Sequence, residues 1–541
     1  TGKTYGTGVY AIHETMDYNM QGWLTEKSSE LFEMNLRYFD PRRDWVAASY
    51  TGNITEWKWQ HKQVDGATLY DDYTYAYTYD NLGRLQSADL YSRDDDTLDG
   101  AVSGFSERMS YDKNSNILTL NRRGSPDENV QSYGFEYIGN QRTKELNSNS
   151  SYGYDGNGNM TEDALAGFGM SYNILNLPEY IQDNWGSGEI SHRYSYLADG
   201  TKMSIGDYEN SGYQYAGSLV YSMDYGAVNS FESASFGGGR IVGTNDGTSS
   251  EVHYFLTDHL GSTRVVAKVT PTGREDLDRK DYYPFGKAWE QPDMPTSDNR
   301  YTFSGKEEQL AGTSSAHYLD FSARFYDPEG VTFLQQDPLL EKYFRIGAYN
   351  YCAGNPIKFM DLDGRKLFFA SGVSESFKQK FSATVQYMND RGSSGDLATL
   401  EASDQVYYIG ETNSEGKTNT FSTDEQTIYW DPNTAYQTDE GIWLSPATVL
   451  AHEAGHAKKY NENPSKFLAD INTTDKQYDN KEDRRNITTT EQRAAKKHKE
   501  IKEDGVTRKN HKVVNSRDVS DKNPYEIEDE NKTHNDSISN L

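Results

Sequence analysis

Along most of the first 365 residues, aromatic or apolar side chains alternate with polar ones in short runs that end at Asp, Asn or Gly. "YAYTYDNLGRLQSADLY" (Tyr75–Tyr91) is typical: three tyrosines at every second position, an Asp-Asn-Leu-Gly break, then a second short run. "MSYDKNSNILTLNRRG" (Met109–Gly124), "YGYDGNGNMTED" (Tyr152–Asp163) and "YSYLADGTKMSI" (Tyr194–Ile205) follow the same plan. A period of two predicts half-buried strands, and the breaks supply residues that accept positive φ and bond their own backbone, so each segment predicts a hairpin. Tyrosine suits such a sheet because its ring packs while its hydroxyl reaches a polar partner. The spacing of the repeats varies, and stacked end to end they predict a continuous sheet.

The period changes after residue 365. "KLFFASG" (Lys366–Gly372) predicts a short strand. "SESFKQKFSATVQYMND" (Ser374–Asp390) carries Phe377, Phe381, Val385 and Met388 on one helical stripe. "QVYYIG" (Gln405–Gly410) and "QTIYWDP" (Gln426–Pro432) predict strands, the second as an edge that could pair an extended peptide. Ser445 followed by Pro446 is a preferred helix start, and predicts a helix over Pro446–Tyr460. A further helix is predicted in "ITTTEQRAAKKHKEI" (Ile487–Ile501).

Composition sharpens the boundary. Residues 1–365 hold 34 of the 42 tyrosines and a net charge of −22, against −7 for residues 366–541. The total of −29 argues against a nucleic-acid partner. One cysteine, Cys352, rules out an intrachain disulfide and a thiolate zinc cluster. No apolar run has the ~18 residues that predict a transmembrane helix. The chain starts at Thr1 and reads as part of something longer.

The tyrosine segments resemble the tyrosine–aspartate (YD) repeats of RHS proteins. "YFLTDHLGSTRVV" (Tyr254–Val266), "DYYPFGK" (Asp281–Lys287), "RYTFSGKEEQ" (Arg300–Gln309), "HYLDFSARFYDPEGVTFLQQDPL" (His317–Leu339) and "YNYCAGNPIKFMDLDG" (Tyr349–Gly364) occur in the order of the RHS-associated core domain. With the repeats, this resemblance covers about two thirds of the chain. It implies a β-shell, here partial, that carries a variable C-terminal domain, very often a toxin. In some relatives the core cuts itself after its last motif through aspartates, which match Asp337 in "QQDPL" and Asp361 in "DLDGR". Cleaving relatives end in Asp-Pro-x-Gly-Leu, whereas Leu362 and Arg365 stand at the proline and final leucine positions here. Two close carboxylates can share a proton and activate water; the alternative is that both are turn and capping residues.

The chemistry of the second part centres on "AHEAGH" (Ala451–His456). His452 and His456, four residues apart on a helix, project from one face and can hold one zinc ion. Glu453, about 100° further round, can take a proton from a water at that ion. A third ligand is required, and Glu491 on the downstream helix is the first choice, with Glu482, Asp483 and His498 as rivals. The segment Ile487–Ile501, with "GVTRKNHKV" (Gly505–Val513), resembles zincin-type metallopeptidase domains at toxin C-termini, in which a glutamate is the third ligand. The same resemblance suggests Arg508 and His511 as transition-state stabilisers.

The expected architecture is multidomain, an all-β YD-repeat/RHS shell followed by an α+β zincin-like domain. Its parts are residues 1–268 (repeats), 269–365 (core domain), 366–515 (metallopeptidase) and 516–541 (polar tail). The resulting expectation is a secreted or cell-surface polymorphic toxin used in interbacterial competition. It would be a Zn2+ hydrolase acting on a protein or peptide in a target cell and countered by a cognate immunity protein. The alternative is a cell-surface carbohydrate- or protein-binding module with a structural or inactive HExxH site.

Overall fold

The computed structural model describes residues 2–519 except 21–22, 63–68, 93–103, 126–127, 184–189, 245–248, 292–294, 312–313, 339, 341–346, 362–363, 365–367, 370–372, 374, 402–406 and 413–418. The chain divides into two compact units, Thr1–Leu340 with Phe344–Arg365, and Glu341–Tyr343 with Lys366–Leu541.

In the first unit, eleven strands from Gly2–Tyr5 to Gln141–Glu145 form one sheet. Thirteen more, from Gly153–Tyr154 to Gly273–Arg279, form another, and in both the spatial order is the chain order. A four-stranded sheet follows, from Glu307–Ala311 to Thr332–Phe333. The expected division at residues 268/269 falls inside the strand Thr263–Thr270, so no domain edge lies there. The sheet continues because Val265, Val266 and Ala267 pair with Arg279, Asp278 and Asp276 of the next strand.

One side-chain bracket builds the hairpins. Asp80 Oδ1 accepts from the amides of Leu82 (2.9 Å) and Arg84 (3.0 Å), two and four residues on. Asp112, Asp155, Asn173, Asp207 and Asp258 hold the same two amides in their own turns. Three residues after each bracket the backbone is left-handed, and Gly83, Gly158 and Gly261 fill that position in three of the six turns. The tyrosine before the turn anchors it: Tyr79, Tyr111 and Tyr172 donate to the carbonyls of Ile54 (2.6 Å), Leu85 (2.6 Å) and Met160 (2.5 Å). The rings line one continuous core with Trp59, Phe285, Tyr326, Phe333 and Tyr351.

The second unit has a mixed sheet in the order Phe368–Phe369, Tyr408–Glu411, Thr427–Trp430, Thr420–Ser422; the first three strands are parallel and the last antiparallel. The segment expected as an edge, Thr427–Trp430, is therefore interior, and Thr420–Ser422 is at the edge. Helix α1 (Glu375–Asp390) buries Phe377 and Phe381 against Trp430. The remaining helices are α2 (Gly395–Glu401), α3 (Pro446–Glu462), α4 (Pro464–Ile471), α5 (Lys481–Asn486) and α6 (Gln492–Lys497), with a π-helical turn at Ile487–Glu491 joining the last two. The strand Val513–Asp518 pairs with Thr434–Thr438, which carries order three residues into the segment expected as a tail; 520–541 lie outside the described residues.

Candidate metal centre

Helix α3 is pinned before it presents any chemistry. Ser445 Oγ accepts from the Thr448 amide (3.3 Å), Pro446 occupies the first turn, and Trp430 Nε1 donates to the Pro446 carbonyl (2.8 Å). Glu500 accepts from the Ser445 amide (3.2 Å) and hydroxyl. Burial lifts the Glu500 carboxyl to about 8, because an ionised form there would lack solvation. Residues Pro446–Ala457 are all buried, so this is a central helix and not a solvated one.

His452 and His456 turn their Nε2 atoms toward each other, 3.1 Å apart. Each Nδ1 meets a carboxylate: His452 Nδ1 lies 2.9 Å from Glu491 Oε2, and His456 Nδ1 lies 3.3 Å from Glu482 Oε1. We assign the neutral ring proton to Nδ1 in both, since Glu482 accepts from it at His456 and the Glu491 carboxylate lies beside it at His452, close but without a hydrogen bond; burial holds His452 down at about 4. Two bare Nε2 lone pairs then face each other, an arrangement that a cation between them relieves. A carboxylate on the far nitrogen is the usual support of a metal-bound histidine. The donor set thus fits zinc. Glu453, equally buried, has its carboxyl pushed up by burial to about 7.

Close approach of the second helical segment depends on Gly455. A Cβ at that position would meet Asn486 Oδ1 at 2.3 Å and the Thr490 side chain at 2.8 Å. Asn486 Nδ2 donates to the His452 carbonyl (2.7 Å) and Arg485 Nη2 to that of Gly455 (3.1 Å). The π-turn has a local cause. Thr488 and Thr489 donate their hydroxyls back to the carbonyls of Arg484 (2.7 Å) and Arg485 (2.6 Å), which opens the regular ladder.

The expected residues are distributed as follows. Glu491 reaches the centre, but on the Nδ1 side of His452; its carboxylate also accepts from Thr507 Oγ1 (2.6 Å) and from Arg508 Nε (3.1 Å) and Nη2 (2.5 Å). Burial opposes its charge, yet Arg508 and His452 outweigh that and hold it down at about 2. Asp483 Oδ1 lies 3.5 Å from His456 Nε2, on the side where the two histidines face. His511 Nδ1 is 3.0 Å from Asp479, and Asp479, Asp483 and His511 bring ligand atoms within 4.8 Å of one another. His498 is remote, bonded to Ser393 and Thr448 at 2.7 Å each. Thr507, Asn486 and Glu500 escaped sequence reasoning, since none belongs to a short motif.

In the first unit, Asp337 and Asp361 do come together, on Arg324: Nη2 lies 3.0 Å and 3.4 Å from their carboxylates. Arg324 Nε donates to the Gly364 carbonyl (2.7 Å), and the Gly364 amide donates to Asp361 Oδ1 (2.8 Å). Leu362 and Arg365 lie outside the described residues.

No family model matches the chain, and no curated protein matches it. Among solved structures it is similar to the TcdB2-TccC3-TEV crystal structure, at 14% identity and a TM-score of 0.43 over 66% of this chain and 20% of that one. It is also similar to the Photorhabdus luminescens Tc holotoxin pore, at 13% identity and a TM-score of 0.42, over 66% and 19% of the two chains. A porin-like protein from Bacteroides uniformis matches at 10% identity and a TM-score of 0.12, covering 51% of this chain and 90% of that one. The chain spans about a fifth of the length of the two Tc chains. No helix among the described residues is long and apolar enough to cross a membrane.

Proposed function

We propose that the chain is part of a secreted RHS-type toxin whose second unit is a zinc-dependent, zincin-like peptidase acting on a protein of a target cell. The observation that carries the enzymatic part is the facing pair of Nε2 atoms, 3.1 Å apart with a carboxylate behind each ring. His452 and His456 hold the ion, and a carboxylate completes the protein ligands. Zinc, when bound, supplies a Lewis acid and lowers the pKa of a water molecule. Glu453 takes a proton from the attacking water on its carboxylate and returns it to the leaving nitrogen; a carboxyl lifted to about 7 can do both. Arg508 is committed to Glu491, which leaves His511 as the candidate donor to developing negative charge. The RHS resemblance supplies the toxin setting, the secreted destination and the expectation of an immunity protein.

The test uses the whole chain, wild type against Glu453→Gln. Both are expected to keep one zinc after dialysis, while turnover of a peptide library falls by about 100-fold or more in the variant. Full turnover by the variant, or a wild type without zinc, overturns the reading.

A second reaction has a specific observation behind it. Arg324 donates to the carbonyl of Gly364, the residue whose following bond would be cut, while gathering Asp337 and Asp361. We propose aspartate-dependent self-cleavage there. Purified chain should show a fragment ending at Gly364 by mass spectrometry, lost in Asp361→Asn; an intact wild type refutes it.

A further inference from the structure

Glu491 and Asp483 compete for one role, and their hydrogen bonds separate them. An ionised carboxylate offers about four lone-pair directions. At Glu491 three hydrogen bonds engage both oxygens, Oε1 by Thr507 Oγ1 and Arg508 Nε and Oε2 by Arg508 Nη2, and His452 Nδ1 lies 2.9 Å from Oε2 without a hydrogen bond. Asp483 is held by one oxygen only. Its Oδ2 accepts from Asn480 Nδ2, and Asn480 Oδ1 accepts from the Asp483 amide (2.8 Å), which fixes the residue in the first turn of α5. Its Oδ1 takes no hydrogen bond among the described residues and lies 3.5 Å from His456 Nε2.

From this we propose that Asp483, not Glu491, completes the metal ligands, and that Glu491 is a positioning residue which Thr507 and Arg508 hold against His452. The inference rests on the zinc reading above. Arg508 follows from it as a support of Glu491, and the π-turn as the device that brings Glu491 to Nδ1. A glutamate at that nitrogen fixes the tautomer and leaves Nε2 as the donor; loss of such a partner costs about 10–100-fold in metal affinity.

The experiment measures zinc affinity by chelator competition, and the absorption spectrum with cobalt in place of zinc, on the full chain. Asp483→Asn is expected to lose more than about 100-fold in affinity and to change the cobalt spectrum, since a ligand is altered. Glu491→Gln is expected to stay within the 10–100-fold range with the cobalt band unchanged in position. Wild-type zinc affinity in Asp483→Asn overturns the inference, as does a Glu491→Gln chain that is folded yet metal-free. If Glu491→Gln fails to fold, Asp483→Asn alone decides, because that side chain is partly exposed and its replacement is nearly isosteric. A wild-type chain that binds no zinc is a different result: it removes the zinc reading itself.

Discussion

Glu500 turns the start of the HExxH helix into a pH-sensitive joint. Its carboxyl sits near 8 in the folded chain, against 4.5 for an ordinary glutamate. Between those values the folded state keeps a proton that the unfolded state releases. Stability is therefore greatest below about 4.5 as far as this group is concerned, falls as pH rises through the window, and levels off above about 8. The gap of about 3.5 units, at about 1.4 kcal/mol per unit, gives a loss of order 3–5 kcal/mol across the window. Glu500→Gln keeps an oxygen for the Ser445 amide and hydroxyl but cannot ionise. Native-state hydrogen exchange of α3, corrected for intrinsic rates and read by mass spectrometry, isolates the segment concerned. At pH 5 wild type and variant should agree within about 1 kcal/mol, the net worth of a hydrogen bond. At pH 9 the variant should protect α3 by several kcal/mol more. A difference that stays flat from pH 5 to 9, or that grows in favour of the wild type, refutes the assignment of a neutral acid at Glu500.

Three further outcomes follow from geometry already given. Gly455→Ala gains about 1 kcal/mol of helix propensity but drives a methyl into Asn486 and Thr490, so thermal denaturation of the second unit should show a net loss of about 1–3 kcal/mol. Tyr111→Phe should destabilise the first unit by about 1–2 kcal/mol in urea titrations, because the Leu85 carbonyl loses its donor; Tyr225→Phe, 71% exposed, should stay within about 0.5 kcal/mol. His452→Ala should abolish zinc retention after dialysis while circular dichroism shows α3 still formed.

What was readable in the sequence was whatever is settled within a few residues. The Asp80 and Asp155 brackets close over four positions, so the turn chemistry names them directly. Ser445-Pro446 marks the helix start for the same reason, and a four-residue step guarantees that His452 and His456 share a face. The rank of Thr427–Trp430 in its sheet was not readable, because it depends on a return strand, Thr420–Ser422, that precedes it in sequence and lands outside it. The side of His452 that Glu491 approaches was likewise hidden. It depends on Arg508, seventeen residues later, and on how the π-turn aims Glu491, since threonine back-bonding is a local contact but the direction it gives the side chain is set only by packing against α3. The strand running through 268/269 was not readable from the motif order, because the pairing of Val265–Ala267 with Asp276–Arg279 is a ladder that motifs do not report.

The agreement of spatial and chain order in the two long sheets has a mechanical meaning. Each strand is bonded to the strands just before and after it, through bonds perpendicular to its length. Tension applied at an end of such a ladder loads its rungs one at a time, in the manner of a zipper. A motor or narrow passage drawing on this polypeptide would then meet a series of small barriers, one per hairpin, several of them set by an Asp or Asn bracket or a tyrosine anchor. The same covalent order that lets the sheets grow by local steps lets their rungs be undone by local steps, while ties between the sheets, such as Lys27 to Thr257 and Arg274 to the Tyr10 carbonyl, must be broken separately.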